Sequence, residues 1–413
     1  MAAKPTPSTA SRVAEKAARS AYGKLVAILT QRTGNLADAE DALADAFSRA
    51  LQTWPEAGTP SNPEAWLLTT ARNRLTDMAR KGGVRDKAHA DLLVLAEDET
   101  APSAPSQTWP DERLGLMLAC AHPDIDAELH APLMLQAVLG LDAARIASAF
   151  LIKPATMGQR LSRGKARIRE ARLAFDIPDP DALPARLEPV LNAIYAAYGT
   201  GWDALGAQDG PVGLASDALT LARLVAERVP ASGQALGLLA LTAHCQARVP
   251  ARRSAQGAFV ALADQDTTLW DTALIEEGEA ALRRALEAGP PGRFALEAAI
   301  QSVHAERRLT GHTNWPAAAA LYDGLLNTGQ AGLGAAVARA SAHGEAYGAK
   351  AALAALDEIA EPSESYQPWH AVRAHWLAQD GQLDAARAAY ETAAALASDP
   401  GIRAWLKARR AAV

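Results

Sequence analysis

Pro132-Leu-Met-Leu-Gln-Ala-Val-Leu-Gly140, Leu141-Asp-Ala-Ala-Arg-Ile-Ala-Ser-Ala-Phe-Leu-Ile-Lys153 and Pro154-Ala-Thr-Met-Gly-Gln-Arg-Leu-Ser-Arg-Gly-Lys-Ala-Arg-Ile-Arg-Glu-Ala-Arg172 follow one another without a gap. The first two segments are mainly apolar and the third is basic: Lys153 to Arg172 holds seven Lys or Arg and one acid, Glu170. Pro154 suits the first position of a helix, where its missing N–H would have no partner anyway. Met157, Leu161 and Ile168 recur at helical spacing and predict one buried stripe. Thr156, Gln159, Arg160, Arg163, Lys165 and Arg167 fall off that stripe, and the longer of these side chains can reach phosphates or base edges. An apolar helix, a tight turn and a basic second helix fit the DNA major groove, which admits one α-helix. The plainer alternative is a solvated helix with surplus arginine, but charge sign, turn and stripe agree on DNA. Gly158 and Gly164 each cost that helix about 0.5–1 kcal/mol relative to alanine. A close approach of backbone to DNA would justify Gly158.

At 413 residues the chain exceeds one small domain, and two or three are expected. Nearly half the residues are hydrophobic, at 49%, yet only 5% are aromatic. Alanine is abundant and no period-two strand stands out, which predicts an all-α protein. The net charge of −6 is unevenly divided: residues 1–175 carry 22 basic and 20 acidic side chains (+2), and residues 176–413 carry 19 and 27 (−8). The first part can meet nucleic acid, whereas the second would repel it. Two cysteines far apart, Cys120 and Cys245, argue against a disulfide scaffold and fit a reducing cytoplasm. Cys120-Ala-His122 has the form of half a metal site. With no second pair nearby, a buried thiol beside an ordinary histidine is the better account, and no cofactor is expected. No run of some eighteen apolar residues is present, so no membrane span is expected.

Along the chain, Ser20 to Thr30 predicts an amphipathic helix with Tyr22, Leu25, Val26 and Leu29 on one side, ended by Gly34-Asn35. Leu36 to Leu51 predicts a second, with acids in its first turns where the helix dipole favours them, stopped by Trp54-Pro55. Pro63 opens a third that runs to Lys81. Its stripe of Trp66, Leu67, Thr70 or Ala71, Leu75 and Met78 leaves Arg72, Asn73, Arg80 and Lys81 on other faces. Glu97 to Pro110 is acidic, then rich in Pro, Ser and Ala, and reads as linker. The expected organisation is a helical domain over residues 12–82, a flexible linker over 83–110, a helix-turn-helix domain over 111–175, and a helical array over 183–413.

The array is regular only near its end. Trp369 to Leu396 places small and large residues as a tetratricopeptide helix pair does, with Ser398-Asp-Pro400 at the usual turn. Trp315 to Gly344 aligns to it weakly, and Leu183 to Gly289 shows no fixed period. Arg248 to Trp270 is a polar, glycine-containing break: either a partner site or, more simply, a packed connecting loop. Gly199-Thr-Gly201-Trp-Asp203 is expected to be a loop. No HExxH, GxSxG, phosphate-cradling loop or cysteine–histidine set occurs, so no enzyme is expected. His244, His304, His312, His343, His370 and His375 are scattered. His304 and His375 on apolar faces are expected to be satisfied core histidines.

Taken together, Asp38-Ala-Glu-Asp41-Ala-Leu-Ala-Asp45-Ala-Phe47 through Trp54, then Ala65-Trp66-Leu67-Leu68-Thr69-Thr70-Ala71-Arg72-Asn73, resemble the second conserved region of extracytoplasmic-function sigma factors of bacterial RNA polymerase. Leu139-Gly140-Leu141 onward to Gln159-Arg160-Leu161-Ser162-Arg163-Gly164-Lys165-Ala166 resembles their fourth. The resemblance covers residues 20–172, and the extension resembles a subgroup carrying a fused repeat-like helical domain. It implies that the second region binds core RNA polymerase through Asp38, Asp41, Asp45 and Phe47. It also implies that Asn62 in the loop from Glu56, with Arg72, Asn73, Arg80 and Lys81, meets the downstream promoter DNA. Thr156, Gln159, Arg160, Arg163, Lys165 and Arg167 are the implied contacts to the upstream promoter DNA. Ala44 stands where many members have glutamine and Asp45 where they have glutamate, departures expected either to weaken or to re-tune core binding. Gly158 replaces a frequent basic residue and Gly164 an alanine. Trp66 is a core residue rather than a stacking platform on this pattern. A free-standing helix-turn-helix regulator with a ligand- or protein-sensing domain is the alternative. It needs neither the acidic second helix nor the cationic third. On the sigma-factor reading, the charge asymmetry leads us to expect the acidic extension to take part in regulation, by shielding the basic helices or by offering a docking surface to a regulatory protein.

Overall fold

Asn35 starts the helix on which the resemblance turns. Its backbone is extended (φ −137°, ψ 106°) and its side chain accepts from the N–H groups of Ala37 and Asp38, satisfying donors that have no partner inside the helix. In the computed structural model, which describes residues 9–81, 111–150, 152–171, 182–203, 213–359 and 365–413, this cap separates α1 (Thr9–Thr33) from α2 (Leu36–Ala57). α2 outruns the expected stop. The chain keeps its helical path through Pro55, and Gly58 (φ +85°) closes the end by donating its N–H to the Trp54 carbonyl. α1 likewise begins earlier than the amphipathic segment from Ser20. α3 (Pro63–Lys81) completes a three-helix group whose core is Leu25, Leu29, Leu36, Leu43, Leu67 and Ala71.

α4 (Glu112–Cys120), α5 (Ala127–Ala137), α6 (Ala143–Ala149) and α7 (Pro154–Ala171) form the second group. Gly140 (φ +66°) breaks the chain before α6, whose cap, Asp142, accepts from the Arg145 N–H at 2.9 Å. Met157, Leu161 and Ile168 are buried as the spacing predicts, against a core containing Leu133, Met134 and Ile146. Gly164 is a packing residue: a Cβ there would stand 3.2 Å from Leu133 and 3.3 Å from Leu129 side-chain carbons, so its absence lets α7 lie close on α5. α8 (Leu183–Asp203) follows, and Arg186 donates to the Leu118 carbonyl at 3.3 Å. The segment Gly199 to Asp203, expected as a loop, is the last turn of α8. Gly201 is needed there, because a Cβ would meet the Ala215 nitrogen at 2.6 Å.

The chain divides into two compact units, Met1–Thr200 and Gly201–Val413. The expected linker and the boundary over residues 176–181 lie outside the described residues. In the second unit, α9 (Leu214–Arg228), α10 (Gly233–Ala247), α11 (Thr272–Glu287), α12 (Arg293–Thr310), α13 (Trp315–Asn327), α14 (Leu333–Tyr347), α15 (Ala349–Asp357), α16 (Gln367–Gln379), α17 (Leu383–Leu396) and α18 (Pro400–Ala411) stack in sequence order. The pair expected to be tetratricopeptide-like falls on α16 and α17, joined through Gly381 (φ +82°) over a core of Ala374, Tyr390, Ala393 and Leu406. Among the described residues no strand forms. One isolated antiparallel bridge joins Arg253 to Phe259 in the segment between α10 and α11. That segment is the packed connector rather than an open break, with short turns at Val249–Ala251, Leu262–Asp264 and Thr267–Leu269.

Candidate nucleic-acid interface

The buried stripe of α7 fixes which residues face outward. Thr156, Gln159, Arg163 and Arg167 are exposed, on the side away from Met157, Leu161 and Ile168. Arg167 Nε lies 3.5 Å from the Asp124 carbonyl, and Arg160 pairs with Glu128 at 3.2 Å. Gly158 has nothing within 4 Å of an added Cβ, so packing does not demand it. The short α6, the turn and α7 form a helix-turn-helix whose second helix presents cations and amides together, the side-chain set that reads guanine and adenine edges.

In the first group, Arg72, Asn73 and Arg80 lie on the outer side of α3. Asn73 and Arg80 are exposed, while Arg72 is half-buried with its Nε unpartnered among the described residues. Burial and the nearby Arg32 lower the Arg72 pKa, yet a guanidinium stays charged. An anion there would relieve both effects. The side chain of Lys81 lies outside the described residues. Asn62 caps α3 with its side chain, accepting from the Ala65 N–H at 3.1 Å. Trp66 packs edge-on against buried Trp54, with ring centroids 5.4 Å apart, and so serves the core.

On α2, Asp41 is exposed, Asp38 accepts from the Asn35 amide at 2.6 Å, and half-buried Phe47 lies two residues after Asp45. Asp45 pairs with Arg74 of α3 at 3.0 Å, a tie that sequence reasoning missed. Also missed is how the two groups dock. Lys165 turns toward α2 and bonds Glu40 at 2.5 Å, the two side chains being 20% and 11% exposed. Burial raises the Glu40 pKa, against the pull of Lys165, and its second oxygen has no partner among the described residues. Beside the pair, burial and then Glu40 push the Cys120 thiol up to about 12, so it stays protonated. Around it, α1 fits the second group through Gly23, where a Cβ would stand 1.9 Å from the Val138 carbonyl oxygen. Tyr22 meets Gly140, where an added Cβ would lie 3.3 Å from its ring. Only the small residues at 23 and 140 hinted at this in the sequence.

Residues 18–84, which hold this α2–α3 geometry, match the family model of sigma-70 region 2. Among curated proteins, the chain is 30% identical over 141 residues to the ECF RNA polymerase sigma factor SigE of Mycolicibacterium smegmatis, covering 33% of this chain and 53% of that one. It is 29% identical over 165 residues to the probable RNA polymerase sigma factor RfaY of Xanthomonas campestris, covering 37% and 40%. The chain belongs to the extracytoplasmic-function sigma factors. It is an RNA polymerase sigma factor with a long C-terminal extension, in which residues 186–286 match a family of unknown function, DUF6596. This sigma factor is also 34% identical over 382 residues to the uncharacterized protein R00370 of Rhizobium meliloti, across 90% of this chain and 89% of that one, so the extension is shared. No solved structure matches it. No described helix is long and apolar enough to cross a membrane.

Proposed function

We propose that α2 grips core polymerase through Asp38, Asp41, Asp45 and Phe47. On the same proposal α3 lies against the downstream promoter element with Arg72, Asn73, Arg80 and Lys81, with Asn62 at its head. α7 enters the upstream element with Thr156, Gln159, Arg160, Arg163, Lys165 and Arg167. The observation that carries the proposal is the outward face of α7, where amide and guanidinium side chains stand opposite a fully buried stripe. Acids beside a half-buried aromatic suit a basic helical partner, for which Phe47 supplies the anchor. The docking of α7 on α2 belongs to the polymerase-free chain. On binding, the groups separate, and Lys165 exchanges Glu40 for a phosphate while Arg160 exchanges Glu128. The division into 12–82, 83–110, 111–175 and 183–413 belongs to the same proposal, the first and third of these carrying the polymerase and DNA surfaces. The acidic extension regulates this cycle, by itself or through a protein partner, in the cytoplasm where transcription takes place.

Transcription with purified core polymerase tests this. Promoter-dependent initiation is expected, with activity or promoter choice altered when the chain is cut after Asp203. Specific DNA binding without initiation would favour a free-standing regulator instead. Initiation unchanged by the cut would remove the regulatory role.

A further inference from the structure

The connector between α10 and α11 is a strap across the second unit. At one end Arg253 pairs with Asp399 at the start of α18, Phe259 packs edge-on against Trp405 at 5.8 Å, and Arg409 reaches Asp264 at 3.4 Å. At the other, Arg307 of α12 donates to the carbonyls of Leu262 (2.9 Å), Ala263 (3.2 Å) and Gln265 (2.9 Å), its guanidinium 5.1 Å from the Trp270 ring centre. The strap therefore joins α12 to α18 directly, bypassing the helices between them. Under its Leu262 edge lies a cavity of about 560 Å³, walled by α12, α13 and α14. That volume falls within the range of small-molecule sites.

His304 singles the cavity out. It is 7% exposed, lines the cavity, and has no hydrogen-bond partner among the described residues. It lies on an apolar face, as expected from the sequence. Its ring packs edge-on against Trp315 at 5.4 Å. Burial first, then Arg248 and Arg307, hold it neutral, with a pKa of about 3. The other polar lining includes the donors Tyr322, Ser341, Thr313, the Trp315 indole N–H and Arg307, whose hydrogen bonds go to neutral carbonyls, together with His312. Burial keeps the Tyr322 phenol protonated. Among the described lining residues the one acid is Glu345, an exposed residue whose pKa is raised by desolvation. Leu262, Ala338 and Ala342 complete an apolar wall.

We infer that this cavity is a binding site for a small organic carboxylate with an apolar body. The carboxylate accepts from Tyr322, Ser341 and a His304 ring N–H, and the body lies against Trp315 and the alanines of α14. The occupant is a small molecule rather than an extended peptide, because a volume of about 560 Å³ suits a ligand of that size.

Calorimetric titration of the full chain with hexanoate, hexan-1-ol and hexylamine tests the inference. Hexanoate is expected to bind with a dissociation constant on the order of 1 mM, about tenfold more tightly than either control. Tyr322→Phe and His304→Leu should each weaken it about five- to tenfold, the cost of one lost hydrogen bond. Ser341→Phe, which fills the cavity, should abolish it. Should the two larger changes disturb folding, Tyr322→Phe removes a single oxygen and decides alone. Hexanoate bound no better than the alcohol, or bound undiminished by these variants, would overturn the inference. A peptide with a free C-terminal carboxylate binding as tightly as hexanoate would overturn the choice of a small molecule. None of these readouts depends on polymerase or promoter.

Discussion

Gly23→Ala should unlatch the two groups of the first unit. An ideal Cβ at position 23 stands 1.9 Å from the Val138 oxygen, 1.1 Å short of the 3.0 Å that real Cβ contacts respect, and its neighbour is backbone that cannot rotate away. α1 must therefore retreat from the end of α5 by about an ångström, which forfeits a quarter to a half of each contact's dispersion well along the seam. Overpacking of this kind costs about 1–3 kcal/mol, which weakens docking about five- to 150-fold. Alanine also favours α1 by up to about 1 kcal/mol, equally in the docked and separated states. The variant should thus keep its helix content and melting temperature while populating the separated form. Energy transfer between dyes on Ser48→Cys and Ser162→Cys, both exposed positions on α2 and α7, reads the distance. Gly23→Ala should lengthen it and speed association with core polymerase. An unchanged distance in a folded variant would refute the docked arrangement, and a longer distance with unchanged association would refute its role.

Gly158→Ala should stabilise α7 by about 0.5–1 kcal/mol, since nothing lies within 4 Å of the new Cβ, and thermal denaturation reads it. Weaker promoter affinity in that stabler variant would reveal a close backbone approach to DNA. Arg163→Ala should lower the slope of log affinity against log salt by about 1 for the upstream element, measured by fluorescence anisotropy of the polymerase-bound factor. Burial disfavours the Asp399 charge, but Arg253 and the N–H groups of Gly401 and Ile402 outweigh it and hold the carboxyl below its usual range. The anchoring it gives the strap is fully present above the unfolded-state value of 3.8 and is lost as pH falls through the lower folded value. Amide exchange in the strap should therefore be protected alike at neutral and mildly acidic pH, and Asp399→Asn should remove the protection throughout.

The elements of the first unit were legible because local chemistry specifies them. Pro63 and Pro154 open their helices and the Met157–Leu161–Ile168 stripe is buried at helical spacing, as read, while Asn35, read only as the end of α1, also caps α2. Local signals also misled. Pro55 reads as a stop, yet Gly58 ends the helix, and the glycines at 199 and 201 read as a loop although Gly201 serves a close helix crossing. Long-range pairing left no periodic trace. Glu40 and Lys165 are 125 residues apart and Arg253 and Asp399 are 146 apart, and each looks like an ordinary surface charge in its own helix or loop. His304 sits on an apolar face, as the pattern said, but a cavity beneath a distant strap cannot be read from spacing within one helix.

The Glu40–Lys165 pair has the energetics of a latch rather than of a rivet. Taking two charges out of water offsets much of their attraction, so a buried pair contributes little net stability even where breaking one side is costly. Here burial raises the Glu40 pKa despite the lysine, and one carboxylate oxygen goes without a partner, so the docked state holds this carboxylate under strain. Removing Lys165 alone leaves a buried anion unpaired, a loss of about 3–5 kcal/mol in a dry site and less at 11% exposure. Separating the groups is different, because both ends then gain partners: water or a basic polymerase helix for Glu40, and a phosphate for Lys165. A connection that is expensive to break from one side and cheap to exchange from both is what a factor needs if it is to stay closed until polymerase and promoter arrive together.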